Sequence, residues 1–160
     1  MPPTPDELAG TVDGFGGLTR EELVGALSDL AARTGEDLDP DAVERAIDDA
    51  VARYYLLEVG SDAVGGGPDE PLLVAGPAAL PTLPAGGGDL PHLLDVEPRT
   101  VDRRAAARQV EERLRGDAAA AVDDGDDDRA ERLLDACYAV EAWGPVDLGD
   151  AKEQLADLLD

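Results

Sequence analysis

The sequence predicts a mainly α-helical protein with a small β-hairpin, and three observations carry that prediction. Capping-box signatures open helices at Thr4 and Thr19, apolar residues recur at helical spacing through most of the chain, and two short apolar stretches, residues 55–59 and 72–75, have strand character. The arrangement expected is a winged-helix-like amino-terminal unit over residues 4–75, a Pro/Gly-rich connector over 76–98, and a carboxy-terminal unit over 99–160 made of a helical hairpin and a final helix.

Residues 1–3 read as a frayed end. In Thr4-Pro5-Asp6-Glu7 the threonine hydroxyl and the glutamate three residues on can satisfy each other's backbone amides, and Pro5 sits where its missing N–H costs nothing. This helix turns Leu8, Val12 and Phe15 inward and runs out at Gly14, Gly16 and Gly17. Thr19 and Glu22 form a second capping box, with Leu18 and Leu23 at staple spacing, so a helix starts at Arg20. Leu23, Ala26, Leu27, Leu30 and Ala31 give it one buried face, and Gly35 ends it. Asp39 and Pro40 open a third helix with Val43, Ala46, Ile47, Ala50, Val51 and Tyr54 on its apolar face. Residues 55–59 and 72–75 then pair as a hairpin. The Gly65-Gly66-Gly67 loop between them is too flexible to set a tight register. The order helix, helix, helix, hairpin is that of a winged helix.

Proline excludes helix from the connector, so its leucines are expected to lie extended on the core, with a short helical turn near residues 90–96. Leu80-Pro81-Thr82-Leu83-Pro84 also has PxxP spacing, though with no adjacent base. Beyond Pro98 everything reads as helix. Ala107, Val110, Leu114, Ala118 and Ala121 make one stripe. A turn at residues 123–126 leads to the facing stripe of Ala130, Leu133, Leu134, Cys137 and Val140. Trp143, Gly144 and Pro145 end the hairpin. Asp147 caps a last helix with Leu148, Ala151, Leu155 and Leu158 inward.

The loudest signal is charge. Acidic residues number 37 against 13 basic ones, giving a net charge of −24, and Lys152 is the sole lysine. The acids are spread along the chain while 43% of the residues remain hydrophobic, which indicates a folded protein with an acidic coat rather than a disordered one. Such a coat suits a cytoplasm holding molar salt, where the Debye length falls to about 3 Å and self-repulsion is screened. The absence of a long apolar run or a leader-like amino terminus leads us to expect a soluble, cytoplasmic protein with no membrane partner.

Candidate chemistry is sparse. His92 stands beside Leu93 and Leu94, and with Asp89 or Asp95 could act as a base, but a surface role fits one lone histidine better. Cys137 falls on an apolar helical face and reads as a buried thiol. Ser28 and Ser61 lack a nucleophile elbow, and no phosphate loop is present. The aspartate run around Gly125 lacks calcium-loop spacing, since Ala120 would occupy the first ligating position. We therefore expect no catalytic residues, no cofactor and no metal. Residues 99–115 carry six arginines; Arg104, Arg108 and Arg115 face away from the apolar stripe, but Glu111 and Glu112 interleave with them. On the third helix Arg45 and Arg53 share the outer face with Asp41, Glu44, Asp48 and Asp49, an arrangement phosphates would repel. Arg45, Arg53, Arg104, Arg108 and Arg115 are the candidate contacts for a partner or nucleic acid.

The runs Leu18-Thr19-Arg20-Glu21-Glu22-Leu23, Gly76-Pro77-Ala78-Ala79-Leu80-Pro81-Thr82-Leu83-Pro84 and Ala142-Trp143-Gly144-Pro145-Val146-Asp147-Leu148 resemble a family of short acidic haloarchaeal proteins of unknown function. The resemblance spans nearly the whole chain and implies neither activity nor ligand. The expected function is a non-enzymatic protein-interaction or regulatory adaptor, with a winged-helix DNA-binding transcriptional regulator as the alternative.

Overall fold

Helix α1 (Pro5–Asp13) starts where Thr4 and Glu7 close the capping box, each side chain accepting from the other's backbone amide. Helix α2 (Arg20–Thr34) starts on the same device at Thr19 and Glu22 and stops at Gly35, whose φ of 76° only glycine adopts cheaply. Helix α3 (Pro40–Ala52) begins on the Asp39 carboxylate. These are features of a computed structural model that describes residues 2–84 and 86–160. Met1, in the expected frayed end, and Ala85, in the expected connector, lie outside the described residues.

Seven α-helices occur among the described residues, together with two small antiparallel sheets. The protein is mainly α with a small β-hairpin. The chain divides into two compact units, one ending at Asp102 and the other running from Arg103 to Asp160.

In the first unit, strand β1 (Leu56–Val59) follows α3 almost at once. The end of α3 is closed by Tyr54, which takes the left-handed conformation at φ 65°, with Tyr54 N donating to Val51 O and Tyr55 N to Ala50 O. That closure starts the strand at Leu56 rather than Tyr55. The strain of a non-glycine residue there is offset by burying the tyrosine ring. Strand β2 (Val64–Gly65) comes next, after a 3-10 turn over Ser61–Ala63, and β3 (Leu72–Ala75) pairs with β1 in the register Leu56 to Ala75. Leu18, between α1 and α2, forms a β-bridge to Leu73, with reciprocal backbone bonds of 3.0 and 2.7 Å. Leu8, Val12, Leu23, Leu27, Val43, Ile47, Leu56 and Leu73 meet in one core.

Within the long connection from β1 to β3, β2 pairs antiparallel with β4 (Thr100–Val101), a contact the sequence did not signal. Two expectations need correction in this unit. Helix does not resume at once beyond Pro98, since β4 occupies residues 100–101 and Arg99 to Asp102 cluster with the first unit. The connector's leucines do not all lie on the core: Leu90, at the start of the short helix α4 (Leu90–Leu93), is buried, but Leu80 and Leu83 are 77% and 57% exposed. Backbone bonds rather than leucine packing fix that segment, with Leu80 N donating to Asp6 Oδ1 and Thr82 N to Asp6 O.

In the second unit α5 (Arg103–Asp124), α6 (Asp127–Trp143) and α7 (Gly149–Leu159) pack on one another. Alanine at 106, 107, 118 and 121 of α5 is fully buried, which permits close approach of the helix axes. Gly144, just past α6, has no room for a side chain, because an added Cβ would lie 2.6 Å from the Ala107 Cβ. Gly125 makes the turn between α5 and α6 at φ 63°, and Asp126 caps α6 by accepting from Arg129 N. Buried Leu148 is the N-cap of α7, one residue later than the Asp147 cap expected, and Asp147 accepts from Gly149 N beside it. No helix among the described residues is long and apolar enough to cross a membrane.

Candidate functional site

The outer face of α3 is the surface a DNA-reading helix would use, and its charges are set largely by neighbours. Arg20, at the first position of α2, reaches across to α3 and β1: its Nε donates to Glu58 Oε2 at 2.8 Å, and an Nη lies 2.7 Å from Asp48 and 3.6 Å from Glu44. Partial burial would lower the Arg20 pKa, but the bonds to Glu58 and Asp48 outweigh it and hold the guanidinium above its ordinary value. Of the two candidate arginines on α3, Arg53 is engaged, paired with Asp49 at 3.2 Å and lying 5.0 Å from the centre of the Tyr55 ring. Arg45 is exposed at a shallow cleft of about 350 Å³ lined also by Pro2, Pro3, Pro5, Ala42, Ala46 and Asp49. The face therefore carries Asp41, Glu44, Asp48 and Asp49 beside Arg45 and Arg53, with carboxylates in excess.

The arginines grouped by sequence over 99–115 part company. Arg99 belongs to the first unit, its side chain only 8% exposed. It grips Glu22 with both terminal nitrogens, at 2.7 and 2.9 Å, and donates to Gly17 O at 3.0 Å. The Arg99 guanidinium, helped by the Thr19 amide, holds the Glu22 carboxyl below its ordinary pKa against the opposing effect of burial. Glu22 thus closes a helix cap and anchors the segment leading into β4. The capping box was legible from spacing, but its arginine partner, 77 residues away, carried no local signal.

Arg104, Arg108 and Arg115 are in the second unit, all exposed on α5. Arg115 is tied to Glu111 at 2.9 Å and donates to Asp147 O. Arg103 lies 4.8 Å from the Trp143 ring centre. Glu141 accepts from Leu148 N at 2.8 Å and pairs with Lys152 at 2.5 Å. Lys152 and the Leu148 amide hold the Glu141 carboxyl below its ordinary value, and Glu141 in turn raises the lysine. The lysine also covers the Tyr138 ring at 4.6 Å.

The two groups with reactive chemistry singled out by the sequence differ in exposure. Cys137 is fully buried, and desolvation pushes its thiol up to about 11, so little thiolate exists near neutrality. His92 is exposed on the short helix α4; Asp95, three residues on in the chain, is exposed, and the Asp89 side chain lies outside the described residues. Among the described residues no group of three or more His, Cys, Asp or Glu is placed to hold a metal ion.

What stands out instead is the stretch 80–84. Leu80, Pro81, Thr82 and Leu83 are exposed and Pro84 is half-buried, while the backbone is fastened to α1 through Asp6. At Gly10 of α1 any side chain would run into the Thr82 backbone, so the glycine is what lets the segment lie so close. The result is an apolar ridge on a fixed support.

No curated protein and no solved structure matches the chain at a significant level. A family match spans residues 6–160 and takes in both compact units, from the Asp6 anchor to the last residue of the chain; the protein belongs to DUF7109, a family of unknown function.

Proposed function

We propose that this protein is a non-enzymatic protein-interaction module, an adaptor or regulator working in the salt-loaded cytoplasm of a haloarchaeal cell. The observation that carries the reading is the exposure of Leu80 and Leu83, at 77% and 57%, on a segment whose backbone is fastened in place. Apolar side chains held outward with little conformational freedom lose little entropy on binding, which favours association with another protein. The inert setting of Cys137 and the exposed position of His92 agree with a non-enzymatic role. The acidic coat suits a partner met at high salt, where only contacts of short range and good fit persist.

The second reading is a DNA-binding winged helix. The order of α1, α2, α3 and the β1–β3 hairpin favours it, as does the Leu18 to Leu73 bridge that ties the start of α2 to that hairpin. Against it stand the carboxylates of α3 and the engagement of Arg53 by Asp49 and Tyr55.

Affinity capture of the tagged chain from a haloarchaeal lysate in molar KCl, analysed for protein and nucleic acid, separates the two readings. A stoichiometric protein partner retained by the wild type and lost by Leu80→Asp/Leu83→Asp is the expected result. Enrichment of particular DNA sequences, unaffected by that double substitution, would replace the adaptor with the regulator.

A further inference from the structure

We infer that residues 80–84 are a docking ridge of polyproline-II type, read by a partner domain whose groove is lined with aromatic side chains. The inference rests on the protein-interaction reading above and names the partner's chemistry. Leu80-Pro81-Thr82-Leu83-Pro84 repeats a Leu-Pro pair after three residues. A polyproline-II helix has three residues per turn, so Leu80 and Leu83 align along one edge and Pro81 and Pro84 along the next. The prolines fix φ near −65°, and the residue before each is driven out of the helical region, which confines most of the stretch to extended backbone before any partner arrives.

The unit beneath uses the backbone side and leaves Leu80, Pro81 and Leu83 exposed, with Pro84 half-buried. Leu80 N and Thr82 N are both spent on Asp6, at 3.0 and 3.1 Å, and the Thr82 backbone lies against Gly10. With those amides used and the prolines having none, the segment is a poor template for adding a strand to a sheet, and it cannot enter a groove as a helix. Recognition through its side-chain edges remains.

A second copy of this chain does not supply the groove. Phe15 and Tyr54 are buried, Tyr55 is half-buried beneath Arg53, Trp143 lies beneath Arg103, and Tyr138 alone is strongly exposed. The partner is therefore a different protein. Charge narrows it further: residues 68–98 contain no Arg or Lys, and Asp6 lies alongside the ridge. Grooves that hold a carboxylate to read a flanking ligand base gain nothing here, so the matching groove has a neutral or basic rim.

The test titrates the full-length chain, at moderate and at molar KCl, against an array of SH3, WW and EVH1 domains, which carry aromatic-lined grooves. Binding by at least one domain, weakened about tenfold or more by Pro81→Ala/Pro84→Ala and by Leu80→Ala/Leu83→Ala, is the expected result. Circular dichroism confirms that the variants keep their helices. Binding to none of the array, or binding indifferent to both double substitutions, overturns the inference. A silent array, with lysate capture still lost in Leu80→Asp/Leu83→Asp, sinks the polyproline reading alone. A silent array and unchanged capture sink the interaction reading with it.

Discussion

Replacing Arg99 with methionine tests how the first unit is held together. The substitution keeps most of the side-chain volume but deletes two charge-assisted bonds to Glu22 and one to Gly17 O. A buried ion pair broken on one side costs about 3–5 kcal/mol. Three features reduce that here. Glu22 is 23% exposed and can recover water, it keeps its bond from the Thr19 amide, and the variant no longer buries the Arg99 Nε, which has no hydrogen-bond partner among the described residues. We therefore expect a loss of about 2–3 kcal/mol, or a midpoint lower by roughly 10 °C for a unit of this size. Hydrogen exchange at the Leu18 and Leu73 amides reports on the first unit, and Trp143 fluorescence reports on the second, where no change is expected. The pH dependence has a definite sign. The Glu22 pKa is depressed by folding, so its contribution is complete above the ordinary carboxylate value of 4.5 and disappears as pH falls through the lower folded value. The gap between wild type and Arg99→Met should close in acid. A destabilisation under about 0.5 kcal/mol at neutral pH, the range of an ordinary surface substitution, would refute the reasoning.

Cys137 should resist thiol reagents at pH 8 in the native protein and react at once after unfolding, as followed by release of the chromophore from a disulfide reagent; rapid native labelling would contradict its burial and its raised pKa. Gly10→Ala would gain about 1 kcal/mol of helix propensity in isolation, yet it should destabilise the first unit on urea titration, because the new methyl meets the Thr82 backbone. A net gain in stability would show that residues 80–84 are not seated on α1. With a net charge of −24 the thermal midpoint should rise steadily as KCl is raised from dilute buffer to the molar range, and a flat profile would argue against charge repulsion as the main destabilising force.

The helices were legible because their signals are local. Thr4 and Glu7, Thr19 and Glu22, and Asp39 with Pro40 each announce a start within four residues, and glycine at 35 and 125 announces a stop or turn. The β1–β3 pairing followed from composition. Three features were hidden for physical reasons. Tyr54 does the work of a glycine at the end of α3, which no propensity suggests. The β2–β4 pair joins stretches of two residues each, 35 or more positions apart, too short to show alternation. Leu80 and Leu83 were expected on the core because leucine usually is, but the prolines around them hold the side chains outward while backbone bonds take over the anchoring. Of the candidate contacts, Arg53 and Arg115 proved to have acidic partners one helical turn away, a pattern visible in the sequence, whereas the 77-residue link from Arg99 to Glu22 was not.

The double use of Glu22 and of Glu141 bears on how freely this sequence can drift. With 37 acids to 13 bases, acids outnumber the cations that can pair with them, and a carboxylate with no cation beside it can exchange, vanish or move along the surface at little cost. Several bases are in the opposite position. Arg20 serves three acids on two elements, Arg99 joins a helix cap to a segment far along the chain, and Lys152 reaches the glutamate that accepts from the amide leading into the last helix. Tolerance to mutation should therefore be lopsided by charge, with most acidic positions forming a permissive background and Arg20, Arg99 and Lys152 behaving as fixed points, more like core residues than like surface ones.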